Sequence, residues 1–220
     1  MSARERILGR LRGQLGAGED RAARVAARLD GGVQEAPRPA FAATEGRARL
    51  DQFEAKVRAV DATVSRLDAV SELPAALAEE LRRRNLPAVV RHGAEPMFRG
   101  LDWGTVEASE GTGRIEEPVT LSRAAFGLAE TGTLVLCSGA ENPVTLTFLG
   151  ETHFVVLREA DVVAGFEELW AAYRAQGLDP RTVNLVTGPS RSADIGQKLQ
   201  LGAHGPVALH VFLVGEVARS

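Results

Sequence analysis

The stretch TVNLVTGPSRSADIGQKLQLGAHGPVALHVFLV, residues 182–214, places two apolar runs around a connector that is rich in turn residues. The two runs, 182–187 and 207–214, are apolar nearly throughout, which is typical of strands buried on both faces of a parallel sheet. The connector has a Gly-Pro pair at each end and serine, arginine, aspartate and histidine between them. A plain crossover between two strands does not require so many hydrogen-bonding groups, so we expect this segment to contact a ligand.

Strand and helix patterns alternate along the chain from Thr44 onwards. Short strands separated by helical stripes of ten to fifteen residues predict an α/β domain with a mostly parallel sheet covered on both faces. Apolar runs typical of strands occur at 62–67, 87–91, 132–137 and 153–157, and helical stripes occur at 50–60, 71–84 and 161–173, where Asp161 is the expected N-cap.

The first part of the chain has a different pattern. Two short amphipathic helices are predicted around residues 7–15 and 22–29, and the segment 33–44 has two prolines and no periodicity, which is typical of a linker. We therefore divide the chain into an N-terminal helical arm with its linker, 1–43, and an α/β domain, 44–220. The pattern leaves open whether the arm packs on its own domain or on a partner.

Composition excludes several classes of protein. A net charge of −3 gives no reason to expect nucleic acid or an anionic membrane surface as a partner. No signal peptide or apolar span is recognised, so we expect a cytoplasmic protein without a membrane segment. The only cysteine, Cys137, excludes a disulfide within the chain and a self-contained iron–sulfur cluster. His92 and His153 have no partners at metal-ligand spacing, and we expect no metal.

The start of the connector predicts an anion site. Gly188 permits a sharp turn directly after a strand, and Ser190 or Ser192 can cap a helix expected to extend through Leu201. The free amides of a first helical turn bind anions, and the carboxyl ends of strands are where ligands bind in α/β sheets. The alternative is a capped helix start with no ligand.

Three further residues of the connector have side chains suited to binding. Arg191 could hold a phosphate or carboxylate in a bidentate manner, and Asp194 could orient Arg191 or accept a hydrogen bond from the ligand. Gly202 suits a helix end, whereas His204 has no structural role that the pattern explains. His204 is therefore a candidate ligand contact.

The segment FGLAETGTLVL, residues 126–136, is the second candidate. Glu130 interrupts an apolar run, and a carboxylate near a buried sheet needs a partner or a raised pKa. Glu130 could act as a general acid or base, or as a nucleophile that forms an acyl intermediate. The alternative is a bulge or turn in which Glu130 faces water and Gly132 relieves the bend.

The motifs ETGTLVL, TGPSRSADI and GAHGP together resemble the lactate utilisation protein C family, the LUD-domain proteins. The resemblance extends in order over roughly 120–215, and Ser192 stands where the family usually has threonine. The positions that keep the family pattern are Gly188, Pro189, Ser190, Arg191, Ala193, Asp194, Ile195, Gly202, His204, Gly205 and Pro206.

This resemblance implies a three-layer α/β/α fold similar to the group of ribose-phosphate isomerases, CoA-transferases and formyltetrahydrofolate cyclo-ligases. It also implies a subunit or accessory protein of a system that oxidises L-lactate to pyruvate, with iron–sulfur clusters on partner subunits and no cofactor on this chain. The chain itself would bind a small organic or phosphorylated anion. The expected ligand contacts are Thr131, Gly132, Thr133, Gly188, Ser190, Arg191, Ser192, Ala193, Asp194, Gly202, His204 and Gly205.

Two other functions agree with the same residues. One is a free-standing enzyme of the CoA-transferase or cyclo-ligase group that uses Glu130 as nucleophile or acid/base. The other is an interaction protein whose arm, 1–43, docks partners.

Overall fold

The computed structural model describes residues 2–15, 20–31, 39–115, 117–193, 199–201 and 204–215. The chain divides into two compact units, Met1–Arg38 and Pro39–Ser220. The boundary predicted after residue 43 lies a few residues beyond this division and stays a prediction. The first unit contains the helices α1, Ala3–Leu15, and α2, Arg21–Asp30, and all of its described side chains are exposed.

The second unit contains four helices and twelve strands among its described residues. The helices are α3 (Gly46–Ala59), α4 (Leu73–Arg83), α5 (Val144–Phe148) and α6 (Phe166–Ala175). The strands are β1 (Thr63–Leu67), β2 (Val89–His92), β3 (Glu107–Glu110), β4 (Val119–Arg123), β5 (Phe126–Leu128), β6 (Thr133–Cys137), β7 (Thr152–Arg158), β8 (Val162–Val163), β9 (Val183–Val186), β10 (Arg191–Ala193), β11 (Leu199–Leu201) and β12 (Ala208–Val214).

Six of the strands form one sheet in the spatial order β1-β12-β7-β4-β2-β3, and every neighbouring pair is parallel. The predicted α/β fold with a mostly parallel sheet is confirmed. The central strands β7 and β12 are paired along their whole length, from Ala208 opposite Thr152 to Val214 opposite Arg158. Because all six strands run in the same direction, their carboxyl ends lie at one edge of the sheet and their amino ends at the opposite edge.

The two faces of this sheet bury alternate residues of each strand. In β7, Phe154 and Val156 pack with the leucines of α4, whereas Val155 and Leu157 pack with Phe53 of α3. All four of these β7 side chains are fully buried. Burial on both faces explains why the central strands β7 and β12 have no polar alternation in the sequence.

A second sheet, which the sequence pattern does not predict, covers the α3 face. It has four strands in the order β8-β5-β6-β9, and β6 is antiparallel to both β5 and β9. Its outer face packs against Leu169 of α6. The predicted strands at 132–137 and 182–187 therefore belong to a different sheet from the one that contains β12.

The start of the last long helix differs from the prediction. Val162 and Val163 form β8 and pair with Gly127 and Leu128, so α6 begins at Phe166 and Asp161 is not its N-cap. The β-branched pair continues the second sheet, where its side chains are buried. Tertiary pairing has replaced the first turn of the helix that the periodicity indicates.

Candidate functional site

The turn after β9 is fixed by the lack of a side chain at Gly188. Gly188 has a φ of +74°, and a Cβ atom there would lie 2.4 Å from the carbonyl oxygen of Val60. Both Gly188 and Pro189 are buried. The turn is thus pressed against the end of α3, which sets the direction in which the chain leaves the second sheet.

The two motifs at the ends of the connector are in direct contact. The backbone N–H of Ser190 donates to the carbonyl oxygen of Pro206 at 2.9 Å. The N–H of His204 donates to the hydroxyl oxygen of Ser190 at 3.4 Å. The structure therefore brings Ser190, His204 and Gly205 together.

The helix predicted from Ser190 or Ser192 to Leu201 is wrong. The strand β10 pairs antiparallel with β11, with Arg191 opposite Leu201 and Ala193 opposite Leu199. The backbone groups of these residues are satisfied across the hairpin instead of along a helix, so the described part of the connector has no helix N-terminus to bind an anion. Asp194 and Gly202, two of the predicted contacts, lie outside the described residues.

The Arg191 side chain is occupied by protein groups. Its Nη1 donates to the carbonyl oxygens of Val207, at 3.2 Å, and Ser190. Its Nε lies 3.5 Å from a carboxylate oxygen of Asp61. The guanidinium thus ties the base of the hairpin to the residue that precedes β12.

The threonines of the ETGT segment connect it to the same turn. The hydroxyl oxygens of Thr131 and Thr133 lie 2.7 Å apart, and that of Thr133 lies 2.7 Å from the hydroxyl of Thr187. Between them, Gly132 has a φ of +71°, and a Cβ atom there would lie 2.6 Å from the backbone nitrogen of Val57. The two candidate segments are therefore neighbours, linked by a chain of hydroxyl groups.

Glu130 points to the start of α6. Its Oε1 accepts the backbone N–H of Phe166 at 3.1 Å, so the carboxylate satisfies a free donor of the first helical turn. Glu130 lines neither of the two cavities described below, of about 180 Å³ and about 430 Å³. A catalytic role for Glu130 stays a prediction.

Glu130→Ala is expected to lower the free energy of unfolding by about 1 kcal/mol, as the loss of a helix cap does. The measurement is urea denaturation at neutral pH. Glu130→Gln, which keeps an acceptor oxygen, should recover most of the loss. An unchanged unfolding curve for the alanine variant would contradict the capping role.

A cavity of about 180 Å³, which we call the amino-edge cavity, opens beside the two ends of the connector, 188–190 and 204–206. The cavity lies at the amino ends of β7 and β12 in the main sheet. It is also next to the turn that follows the carboxyl end of β9 in the second sheet. The expectation that the connector lies at the carboxyl edge of the main sheet is therefore wrong, because β9 belongs to the second sheet. The residues that line the cavity are Thr147, Phe148, His153, Leu185, Val186, Gly188, Pro189, Ser190, His204, Gly205, Pro206 and Leu209.

Two polar side chains in this lining were not predicted as site residues. His153 is 0% exposed and Thr147 is 1% exposed. Three polar atoms of these side chains have no hydrogen-bond partner within the described parts of the chain. They are the two ring nitrogens of His153 and the hydroxyl oxygen of Thr147. Burial lowers the pKa of the His153 imidazole to about 3, so the ring is neutral at physiological pH. A histidine in the otherwise apolar run HFVVL was the sequence signal.

Neither a metal cluster nor a membrane helix is found in the described residues. No group of three or more His, Cys, Asp and Glu side chains among them could hold a metal ion. None of the helices in the same residues is long and apolar enough to cross a membrane.

Comparisons with known proteins point to one family. The family model described as LUD domain matches residues 117–214. Lactate utilization protein C of Geobacillus kaustophilus (strain HTA426) is 39% identical over 84 residues, which cover 36% of this chain and 35% of that protein. Lactate utilization protein C of Bacillus licheniformis is 33% identical over 113 residues, which cover 48% of this chain and 46% of that protein. The chain thus spans less than half the length of these two curated relatives.

A solved structure is similar over more of the chain. The crystal structure of a DUF162 family protein from Deinococcus radiodurans has a TM-score of 0.58 and 25% sequence identity. The similarity covers 78% of this chain and 100% of that one. The α/β architecture is therefore shared beyond the region that the family model matches.

Proposed function

Because the chain belongs to the LUD-domain family, we propose that it serves in lactate utilisation and binds a small organic acid in the amino-edge cavity. The names of its relatives support the first part of this proposal, since several of them are called lactate utilization protein C. The cavity, with its size and its polar groups, supports the second part.

The observation that carries the ligand proposal is the pair of buried polar side chains that have no hydrogen-bond partner among the described residues. A buried polar group that makes no hydrogen bond costs about 1–3 kcal/mol, and such groups in a folded protein call for an explanation such as a bound molecule. Thr147 and His153 both line the amino-edge cavity. A ligand that hydrogen-bonds to both would remove this cost.

The size and composition of the cavity favour a short acid. Its volume of about 180 Å³ is below the ~300 Å³ at which pockets for drug-sized ligands begin. Phe148, Val186 and Leu209 offer apolar contacts for a methyl group, as in lactate or pyruvate. The lining has no Lys, Arg, Asp or Glu among the described residues, which disfavours a phosphorylated ligand. We expect the carboxylate to be held by hydrogen bonds from Thr147, His153 and Ser190.

The redox centres of the system would lie on partner subunits. An iron–sulfur cluster usually needs about four thiolates, and this chain has Cys137 alone. We propose that the chain presents or senses the organic acid, and that iron–sulfur partners carry the electrons.

Thr147→Val tests the ligand proposal because it removes the hydroxyl with little change of shape. We expect L-lactate or pyruvate to raise the melting temperature of the unaltered chain, and the variant to bind the same acid about 10-fold more weakly, as the loss of one hydrogen bond predicts. The free energy of unfolding without ligand should stay the same or rise by about 1 kcal/mol. Titration calorimetry and thermal unfolding provide the two measurements.

The matched control is Ser122→Ala, which removes another buried hydroxyl that has no partner in the described residues, from a side chain that does not line the cavity. This control should keep full affinity for the acid. Arg191→Ala distinguishes hydrogen-bonded from ion-paired binding, and we expect it to weaken binding less than Thr147→Val does. Failure of both acids to bind the unaltered chain, or full affinity in Thr147→Val, would refute the ligand proposal.

A further inference from the structure

A second cavity, of about 430 Å³, lies at the opposite edge of the main sheet. We call it the carboxyl-edge cavity, because Arg123 ends β4 and Glu95 follows shortly after the end of β2. Cys137, at the end of β6, and the loop after it form another wall. The carboxyl ends of parallel strands are where ligands bind in open α/β sheets, and the lactate proposal does not use this site.

Arg123 lies at this cavity with unsatisfied hydrogen-bonding capacity. Its side chain is 28% exposed, its Nη2 donates a long hydrogen bond to Asp161 Oδ2 at 3.4 Å, and its Nη1 lies 3.8 Å from Glu95 Oε1. Both distances exceed the ~2.7–2.9 Å of a charge-assisted hydrogen bond. The Nε atom is buried and has no partner in the described residues. The carboxylates of Asp161 and Glu95 therefore balance the charge of the guanidinium, but its Nε–H can still donate a hydrogen bond to a ligand.

Asn142 supplies the complementary group. The residue is 7% exposed, and its Nδ2 donates to the carbonyl oxygen of Cys137 at 3.2 Å. Its Oδ1 is buried, and no donor reaches it from the described residues. Two residues that line one cavity thus carry a buried donor and a buried acceptor, and neither atom has a hydrogen-bond partner in the part of the chain that the structure describes.

The charges of the lining limit the chemical class of the ligand. Glu95, Glu141 and Asp179 outnumber Arg123, the one basic side chain in the described lining, so an additional anionic group would be repelled. A cation could donate to Asn142, but it could not accept from the guanidinium. A hydroxyl group can do both, because it donates one hydrogen bond and accepts two. A volume of about 430 Å³ lies within the range of small-molecule pockets.

We propose that the carboxyl-edge cavity binds an uncharged polyhydroxyl molecule of the size of a sugar or a nucleoside, through the Oδ1 of Asn142 and the Nε of Arg123. Leu178 and Pro180 offer apolar surface to the carbon atoms of such a ligand. Burial raises the pKa of the Cys137 thiol, so the thiol is protonated at neutral pH and acts as a wall of the cavity.

The test uses D-ribose and adenosine as neutral probes and ribose 5-phosphate as a charged probe. At ten times the dissociation constant, a bound probe should raise the melting temperature by about 3–6 °C for a chain of this size. We expect ribose or adenosine to give this rise, and ribose 5-phosphate to bind more weakly than ribose.

Two variants connect the result to the site. Asn142→Ala and Arg123→Lys should each weaken binding of the neutral probe about 10-fold in titration calorimetry. Arg123→Lys keeps the charge between Glu95 and Asp161, so it tests the hydrogen bond without leaving these carboxylates unpaired. The control variant Ser122→Ala should bind the probe normally, and L-lactate should bind to Asn142→Ala as it does to the unaltered chain.

The proposal is overturned if neither neutral probe binds at millimolar concentration, or if ribose 5-phosphate binds more tightly than ribose. It is also overturned if Asn142→Ala keeps full affinity, because a general effect of sugars on folding would act on both chains equally. None of these outcomes affects the amino-edge cavity, whose ligand is measured separately.

Discussion

Gly188→Ala is expected to lower the free energy of unfolding by about 2–5 kcal/mol. A φ of +74° costs a residue with a side chain about 1–2 kcal/mol. The new Cβ atom would also lie 2.4 Å from the carbonyl oxygen of Val60, and overpacking of this kind typically costs about 1–3 kcal/mol. Because backbone atoms are involved, the turn cannot relax by a change of rotamer. Urea denaturation at neutral pH measures the loss.

The control for this substitution is Gly139→Ala. A Cβ atom at Gly139 would meet nothing within 4 Å, and its φ is outside the left-handed region. We expect this control to change the free energy of unfolding by less than about 1 kcal/mol. Equal stability of the two variants would show that the close approach of Gly188 to α3 does not exist in solution. If the turn forms as described, Gly188→Ala should also lose the amino-edge cavity and its ligand.

Acid should destabilise the protein through two buried histidines. Burial lowers the pKa of His153 to about 3 and that of His210 to about 4, the latter despite the nearby carboxylate of Glu80. Above pH ~6.5 both rings are neutral in the folded and the unfolded chain, so they cause no pH dependence. At pH values between the lowered pKa of each folded histidine and its ordinary pKa of ~6.5, the unfolded chain binds a proton that the folded chain does not. The free energy of unfolding therefore falls as the pH falls.

The expected slope is about 1.4 kcal/mol per pH unit for each histidine between pH 5.5 and 4.5. Unfolding curves recorded at several pH values measure it. His153→Leu should remove one of the two contributions. An identical acid profile in His153→Leu would mean that His153 has a hydrogen-bond partner or solvent contact in solution, which would also weaken the ligand proposal.

The sequence predicts the main sheet well and the second sheet poorly, for a physical reason. Apolar runs such as 153–157 and 207–214 are buried on both faces, and this burial is visible in their composition. The run at 182–187 has the same composition, yet it pairs antiparallel with β6 in the second sheet. The composition of a strand indicates whether the strand is buried. The strand with which it pairs depends on contacts between residues far apart in the sequence, and a local pattern contains no information on these contacts.

The same limit applies to the candidate site. Turn residues mark the connector in the sequence, and Gly188 has a positive φ that favours glycine. Serines that suit a helix cap also suit a hairpin, so local chemistry could not decide between a helix and the pair β10–β11. Thr147 and His153 were missed because their significance lies in the absence of hydrogen-bond partners across the described ranges of the chain, which only the fold reveals.

The position of β12 has a consequence for how the chain is made. Within the described residues β1 pairs with β12 alone, and β12 separates it from β7. During synthesis the ribosome releases residues 63–67 long before residues 208–214, so the first strand waits without a neighbour until almost the whole domain has been translated. Unpaired strand edges in such a nascent chain are open to aggregation, and closing so long a loop is slow. Production of this protein should therefore depend on chaperones and temperature more than that of a domain of equal size whose strands pair in sequence order.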